Sequence, residues 1–205
     1  MLYEYILDNY KNGEPIFVSE LPGNSLNYIR QEMKKLVDEG KIERLYNGVY
    51  YLPYQTILGT KGRPSIKEYV DKKFLNTNGK VTGYITGLQL ANLYGFTSQN
   101  PSCLEICSNR ATTKQRKIEF DGTKMIIYKP VAEINKENVS ALQFLDLLSC
   151  IDKYSELSGN DLKTKLKSFV KKLNVNFNEV KEYISLYPDR TYRNIYECGL
   201  MNKLI

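Results

Sequence analysis

Residues 25–53 read SLNYIRQEMKKLVDEGKIERLYNGVYYLP. The Ser25 hydroxyl can cap a helix by accepting from an exposed N–H of the first turn. Ile29, Met33, Leu36 and Val37 then recur at i, i+4, i+7 and i+8, one apolar stripe of an α-helix. Gly40 stops that helix, because it adopts the left-handed conformation that closes helical ends. Lys41–Leu45 and Val49–Leu52 read as two strands around Asn47-Gly48, a hairpin signal resting on the tolerance of both residues for positive φ. Helix, glycine and hairpin in this order form the second half of a winged helix-turn-helix. Such a unit lays one helix in the DNA major groove and a hairpin on the flanking backbone.

The preceding residues complete that pattern. Leu2, Tyr5, Ile6 and Tyr10 give LYEYILDNYK one apolar face, closed by Asn12-Gly13 and Pro15. Ile16-Phe17 reads as a short strand that pairs with the wing, Val18–Leu21 as one or two helical turns, and Pro22-Gly23-Asn24 as a turn. Opposite the buried stripe, the helix after Ser25 carries Asn27, Tyr28, Arg30, Gln31 and Lys34. Asn, Gln and Arg read base edges bidentately, and Tyr and Lys contact the backbone. Such a set is also what the solvated face of any amphipathic helix carries; the turn before it and the hairpin after it favour DNA. Arg30, Lys34, Lys35, Lys41 and Arg44 cluster where phosphates would lie. In the wing, Arg44 and Asn47 are the candidate phosphate or minor-groove contacts.

Tyr54–Pro64, YQTILGTKGRP, has two Gly, a Pro and no periodicity, and reads as a linker. The expected organisation is a DNA-binding domain over 1–56, a linker at 57–64, and an α+β domain over 65–205. In that second domain, Ser65–Asn76 reads as a helix and Val81–Tyr84 as a strand. Thr86–Phe96 reads as a short helix closed by Gly95, and Cys103–Ser108 as a strand. A basic loop then leads to a hairpin with arms Ile118–Phe120 and Met125–Tyr128 around Asp121-Gly122. From Val139 the pattern is helical: one helix through Ile151, one capped by Asn160 or Asp161, then Asn178–Tyr187 and Tyr192–Leu204. The fold class is therefore α+β: an N-terminal winged helix-turn-helix, then a mixed α/β domain with a helical C-terminal part.

The 205 residues carry a formal net charge of +6, unevenly placed. Residues 1–60 hold six Lys/Arg against eight Asp/Glu, whereas residues 61–129 hold twelve against five. An acidic DNA-binding unit needs its carboxylates turned from the groove. It also makes Arg110, Lys114, Arg116 and Lys117 a second basic surface for phosphates, tRNA or another acidic partner. The chain contains no histidine, which removes the commonest general base and every Ser/Cys–His triad. Cys103, Cys107, Cys150 and Cys198 lack the spacing of a zinc site and read as reduced thiols. No catalytic residue, metal or cofactor is expected. No apolar run reaches the roughly 18–20 residues of a membrane span, and the N-terminus lacks secretory-signal character, so a cytoplasmic protein with no membrane partner is expected.

Two blocks resemble AbiEi-type antitoxins of type IV abortive-infection toxin–antitoxin systems, and related bacterial regulators. The first is the winged helix ending in NGVYYLP. The second is YITGLQLANLYGFTSQNPSCLEICSNR, similar to that family's small-residue helix, Gly-hydrophobic-Thr-x-Gln, Pro, and strand ending in Thr/Ser-Asn-Arg/Lys. With their spacing they cover most of residues 1–130; the C-terminal helices match only in length and helicity. The resemblance implies a winged-helix autorepressor that binds inverted repeats in its own promoter. It also implies an antitoxin that counteracts a nucleotidyltransferase-like toxin without requiring a stable complex. By position, Ser25, Asn27, Tyr28, Arg30, Gln31 and Lys34 inherit DNA reading, and Arg44 the wing role. Thr97, Gln99, Asn109 and Arg110 are open between function and structure. Two alternatives stand beside this reading: a protein-interaction module whose winged helix does not bind DNA, and a nuclease using Glu105, Glu119 and Asp121. The nuclease lacks the E-x-K pattern.

Overall fold

A computed structural model describes residues 2–23 and 25–203 as a mixed α+β protein of two compact units, residues 1–72 and 73–205. The end of the expected Pro22–Asn24 turn and the Leu204 end of the expected last helix lie outside the described residues.

The first unit opens with α1 (Leu2–Asn9), β1 (Ile16–Phe17) and a 3-10 turn at Val18–Glu20. α2 (Leu26–Asp38) and the hairpin β2 (Glu43–Tyr46)–β3 (Val49–Tyr51) follow. β1 pairs antiparallel with β3, Ile16 opposite Tyr50 and Phe17 opposite Val49, so the sheet runs β1-β3-β2. Ile6, Ile16, Ile29, Met33, Leu36 and Ile42 pack into one apolar cluster beneath α2. The α1 face differs from the expected one: Leu2, Tyr3, Ile6 and Tyr10 turn inward, and Tyr5 is exposed.

α2 ends in a Schellman closure. Gly40, at φ +70°, donates its N–H to the Val37 carbonyl, and Lys41 donates to Leu36. The β2–β3 turn departs from expectation. Gly48 alone takes a positive φ, of +71°, while Asn47 does not, and the ladder shifts register between Arg44 and Tyr46. The bulge supplies the twist that a type I′ turn would otherwise give.

Tyr54–Pro64 is not a plain linker. β4 (Tyr54–Gln55) and β5 (Lys61–Gly62) pair antiparallel as a second hairpin. The Tyr54 ring lies where a Cβ on Gly13 or Gly62 would project, so both glycines admit its close packing. α3 (Ile66–Val70) then starts from a capping box in which Ser65 and Glu68 satisfy each other's backbone N–H groups. The unit therefore extends to residue 72, beyond the expected boundary at 56.

The second unit begins within a π-helical turn over Asp71–Leu75. β6 (Asn76–Thr77) and β7 (Lys80–Val81) form a small hairpin around Asn78-Gly79. β8 (Gly83–Ile85), α4 (Gly87–Leu93), β9 (Leu104–Ser108), β10 (Gln115–Phe120) and β11 (Thr123–Tyr128) follow. The four longer strands make a mixed sheet in the order β10-β11-β9-β8; β11 runs parallel to β9 and antiparallel to β10. The β10–β11 turn has both Asp121 and Gly122 at positive φ, as expected.

α5 (Val139–Tyr154) is buried along most of its length. α6 (Gly159–Leu173) begins after Ser158 rather than at Asn160 or Asp161, and inserts Leu166 and Phe169 into the same core. α7 (Phe177–Tyr183) and α8 (Asp189–Glu197) complete the helical part, and α5 packs against both of them as well as against α4 and β8. Phe169 meets Tyr94 edge-on at 4.5 Å and Phe96 at 5.7 Å.

Candidate nucleic-acid interface

The candidate site is the face of α2 turned away from the first core. Ile29, Met33 and Leu36 are buried, and Asn27, Tyr28, Arg30, Gln31, Lys34 and Lys35 are all exposed. At 100° per residue these six fall within one arc opposite the stripe. Ser25 starts the helix, its Oγ accepting from the Tyr28 N–H at 3.2 Å. The Ser25 hydroxyl is thus already used as a cap, and the orphan N–H groups of this first turn lie at the exposed end of the helix.

The other expected residues are less free. Lys35 Nζ lies 2.7 Å from Glu32 Oε1, and that hydrogen bond raises the pKa of its ammonium. Lys41 pairs with Glu39 at 2.7 Å and sits 5.2 Å from the centre of the Tyr3 ring. On the β2–β3 hairpin, Arg44 Nη2 donates to Asn47 Oδ1 at 3.1 Å, and its Nε donates to the Tyr46 carbonyl at 3.4 Å. Arg44 therefore braces the turn that carries Asn47, and the two contacts expected of a wing are one connected group.

The charge balance changes once the unit is bounded by the fold. Residues 1–72 hold ten cationic and ten acidic side chains. Residues 44–67 hold Arg44, Lys61, Arg63 and Lys67 and no Asp or Glu. The stretch from the β2–β3 hairpin into α3 is thus the basic part of a neutral unit, with Glu43 at its start paired to Lys61. Lys61, Arg63 and Lys67 are not among the candidates read from sequence: the first two fall in a stretch that reads there as a linker, and Lys67 on the helix expected over Ser65–Asn76. The lack of carboxylates over 44–67 is the signal that points to them.

No protein-family model and no curated protein matches this chain.

The four residues of the expected second basic surface are all exposed but are not all on one face. Arg110 and Lys114 are exposed in the turn after β9, but Arg116 and Lys117 are successive residues of β10 and point to opposite sheet faces. Lys73 joins Arg110 and Arg116. Its ammonium pKa is lowered first by burial and then by these two guanidinium groups. Lys117 instead lines a cleft of about 470 Å³ with Cys103, Glu119, Lys124 and Ile126. Among the described residues no group of three or more Cys, Asp or Glu side chains is placed to hold a metal ion. No described helix is long and apolar enough to cross a membrane. All four cysteines are free thiols.

The 86–110 block carries a hydrogen-bond network. Asn109 brackets Ile134, donating to its carbonyl at 2.8 Å and accepting from its N–H at 2.9 Å. Thr97 Oγ1 donates to Glu156 Oε1 at 2.6 Å, and the Ser98 N–H donates to Oε2 of the same carboxylate at 3.0 Å. The Gln99 N–H donates to Thr97 Oγ1. Thr97, Asn109 and the Gln99 backbone are thereby given structural tasks. Glu105 accepts from the Leu88 N–H at 3.1 Å and from the Tyr128 hydroxyl at 2.9 Å. Gly87, at φ +63°, lies against that carboxylate, in space a Cβ would occupy. Asp146 of α5 accepts from the Tyr84 hydroxyl at 2.9 Å and from Thr86 Oγ1 at 3.1 Å. Burial pushes its carboxyl up to about 6, although the hydrogen bonds from Tyr84 and Thr86 oppose the rise.

Proposed function

We propose that the chain is a DNA-binding transcriptional regulator whose first unit is a winged helix-turn-helix. α2 enters the major groove and the β2–β3 hairpin contacts the flanking backbone. The carrying observation is the arc of Asn27, Tyr28, Arg30, Gln31 and Lys34, exposed on a capped helix and followed by a hairpin paired with β1. Asn27, Arg30 and Gln31 are the base-reading candidates, Tyr28 and Lys34 the backbone contacts, and the Arg44–Asn47 pair the wing contact.

The antitoxin role is proposed on the resemblance of the two blocks. On that reading the protein represses its own promoter at inverted repeats and counteracts a nucleotidyltransferase-like toxin without a stable complex. No catalytic step is assigned to it. The test of DNA reading is a mobility shift on the DNA upstream of its own coding region, with wild type beside Arg30→Ala/Lys34→Ala at several salt concentrations. The expected result is specific retardation by wild type, with the variant weakened and its log–log salt slope reduced by about 2. Equal binding by both proteins would remove α2 as the reading element. The toxin arm is tested by co-expressing a neighbouring nucleotidyltransferase-like frame, whose growth arrest the chain is expected to relieve.

A second reading, a protein-interaction module built on the same scaffold, draws support from the neutral charge of residues 1–72 and from the engagement of Lys35 by Glu32. Absence of any specific shift at low salt would favour it.

A further inference from the structure

Among the described residues of the first unit, the tip of the β4–β5 hairpin is the most exposed apolar feature. Ile57 and Leu58 are 105 % and 88 % exposed, and adjacent. Isolated surface aliphatics are ordinary, but two fully exposed neighbours at the centre of a turn are not, because polar residues normally hold those positions. The turn is closed, not slack. The Gly59 N–H donates to the Thr56 carbonyl at 2.9 Å, the Thr56 N–H donates to the Thr60 carbonyl at 2.8 Å, and the two threonine hydroxyls lie 2.7 Å apart.

The root of the hairpin is fixed beside the β2–β3 hairpin. Lys61 Nζ lies 2.9 Å from Glu43 Oε1 on β2, and Glu43 Oε2 accepts from the Tyr51 hydroxyl on β3 at 2.6 Å. The apolar tip therefore stands on an arm anchored to that hairpin. The arm lies in the 44–67 stretch, which holds four cations and no carboxylate. With Lys61 neutralised by Glu43, Arg44, Arg63 and Lys67 leave this part of the chain a net excess of positive charge, and an apolar tip carried on such a stretch matches a partner with a polyanionic surface and an apolar interior. Duplex DNA is such a partner: aliphatic side chains enter between base steps from the minor groove while cations hold the phosphates.

We propose that the 54–62 hairpin is a second DNA-contacting arm, and that Ile57 and Leu58 form a wedge that opens a base step and bends the duplex. This rests on the DNA-binding reading of the first unit. Flexible pyrimidine–purine steps are the expected insertion points, because they unstack most readily.

The experiment uses the full chain and end-labelled duplexes of about 40 base pairs from its own upstream DNA, reporting binding and end-to-end distance by energy transfer. Wild type, Ile57→Ser/Leu58→Ser and Arg30→Ala/Lys34→Ala are compared across salt. Neither tip side chain is packed, so circular dichroism melts of the tip variant are expected to match wild type. Wild type is expected to bind and shorten the end-to-end distance. The tip variant is expected to bind about tenfold more weakly, with an unchanged salt slope and no shortening. The helix variant loses slope instead. A tip variant that binds and bends like wild type would overturn the wedge and leave the DNA reading standing. A wild type that binds no duplex would overturn both, and the tip would then belong to a protein contact.

Discussion

Replacing Asp146 by Asn is expected to stabilise the second unit at neutral pH, with the gain disappearing in acid. Asp146 is half-buried at the edge of the core beside Tyr84, Thr86 and Tyr187, and desolvation raises its pKa from the ordinary 3.8 to about 6. That gap corresponds to about 3 kcal/mol between the two protonation states. Because the folded-state value is the higher one, the associated stability is fully present below about pH 4 and is lost as pH rises through 6. An asparagine in this place would keep an oxygen to accept from Tyr84 and Thr86. Its amide could donate towards the Tyr187 oxygen, whose own proton goes to the Leu142 carbonyl. Tyr84 and the Cys107 and Cys150 thiols nearby are held above their ordinary values by burial, so they stay neutral through this window. The assay is urea unfolding of wild type and Asp146→Asn at half-unit steps from pH 4 to 7.5. Other carboxylates cancel in the difference between the two proteins. That difference is expected to be near zero at about pH 4 and to grow to about 2–3 kcal/mol in favour of the variant by pH 7.5. A difference that does not change with pH would refute the reasoning, since Asp146 would then ionise in the fold as readily as in the unfolded chain.

Two further substitutions test the packing. Gly87→Ala places a methyl group against the Glu105 carboxylate at a left-handed φ, and is expected to cost about 2–4 kcal/mol in chemical denaturation; a loss under about 1 kcal/mol would mean that the β8–α4 turn relaxes freely. Met33→Ala empties a fully buried position under α2 and is expected to lower the stability of the first unit by about 2–5 kcal/mol, read by thermal melting of the full chain.

The sequence is most legible where local chemistry and periodicity agree. Ser25, the stripe through Leu36, and Gly40 specify α2 within 16 residues, and the structure reproduces each of them. The exposed arc of the candidate site is readable for the same reason, being the complement of that stripe. Errors arise where one signal carries two meanings. Glycine and proline in 54–64 mark a break in periodicity, which both a linker and a tight hairpin produce; the packing of Tyr54 against Gly13 and Gly62 decides for the hairpin. Asn78-Gly79 carries the same turn chemistry as Asp121-Gly122, yet its flanking strands are too short to show any alternation. Arg116 and Lys117 group by proximity in sequence, whereas the strand pleat separates them. The pairing of β11 with β9 leaves no local trace, because its register joins residues about 21 positions apart.

The position of β11 bears on how the chain is made. β11 sits between β9 and β10 although it follows both in sequence, so a nascent chain exposes one edge of β9 until residue 128 has been synthesised. During that interval the open edge carries Ile106 and Cys107 beside unpaired backbone groups, a template for association with other chains. The tight Asp121-Gly122 turn shortens this exposure, because β10 and β11 can zip together locally and dock onto β9 as one ribbon.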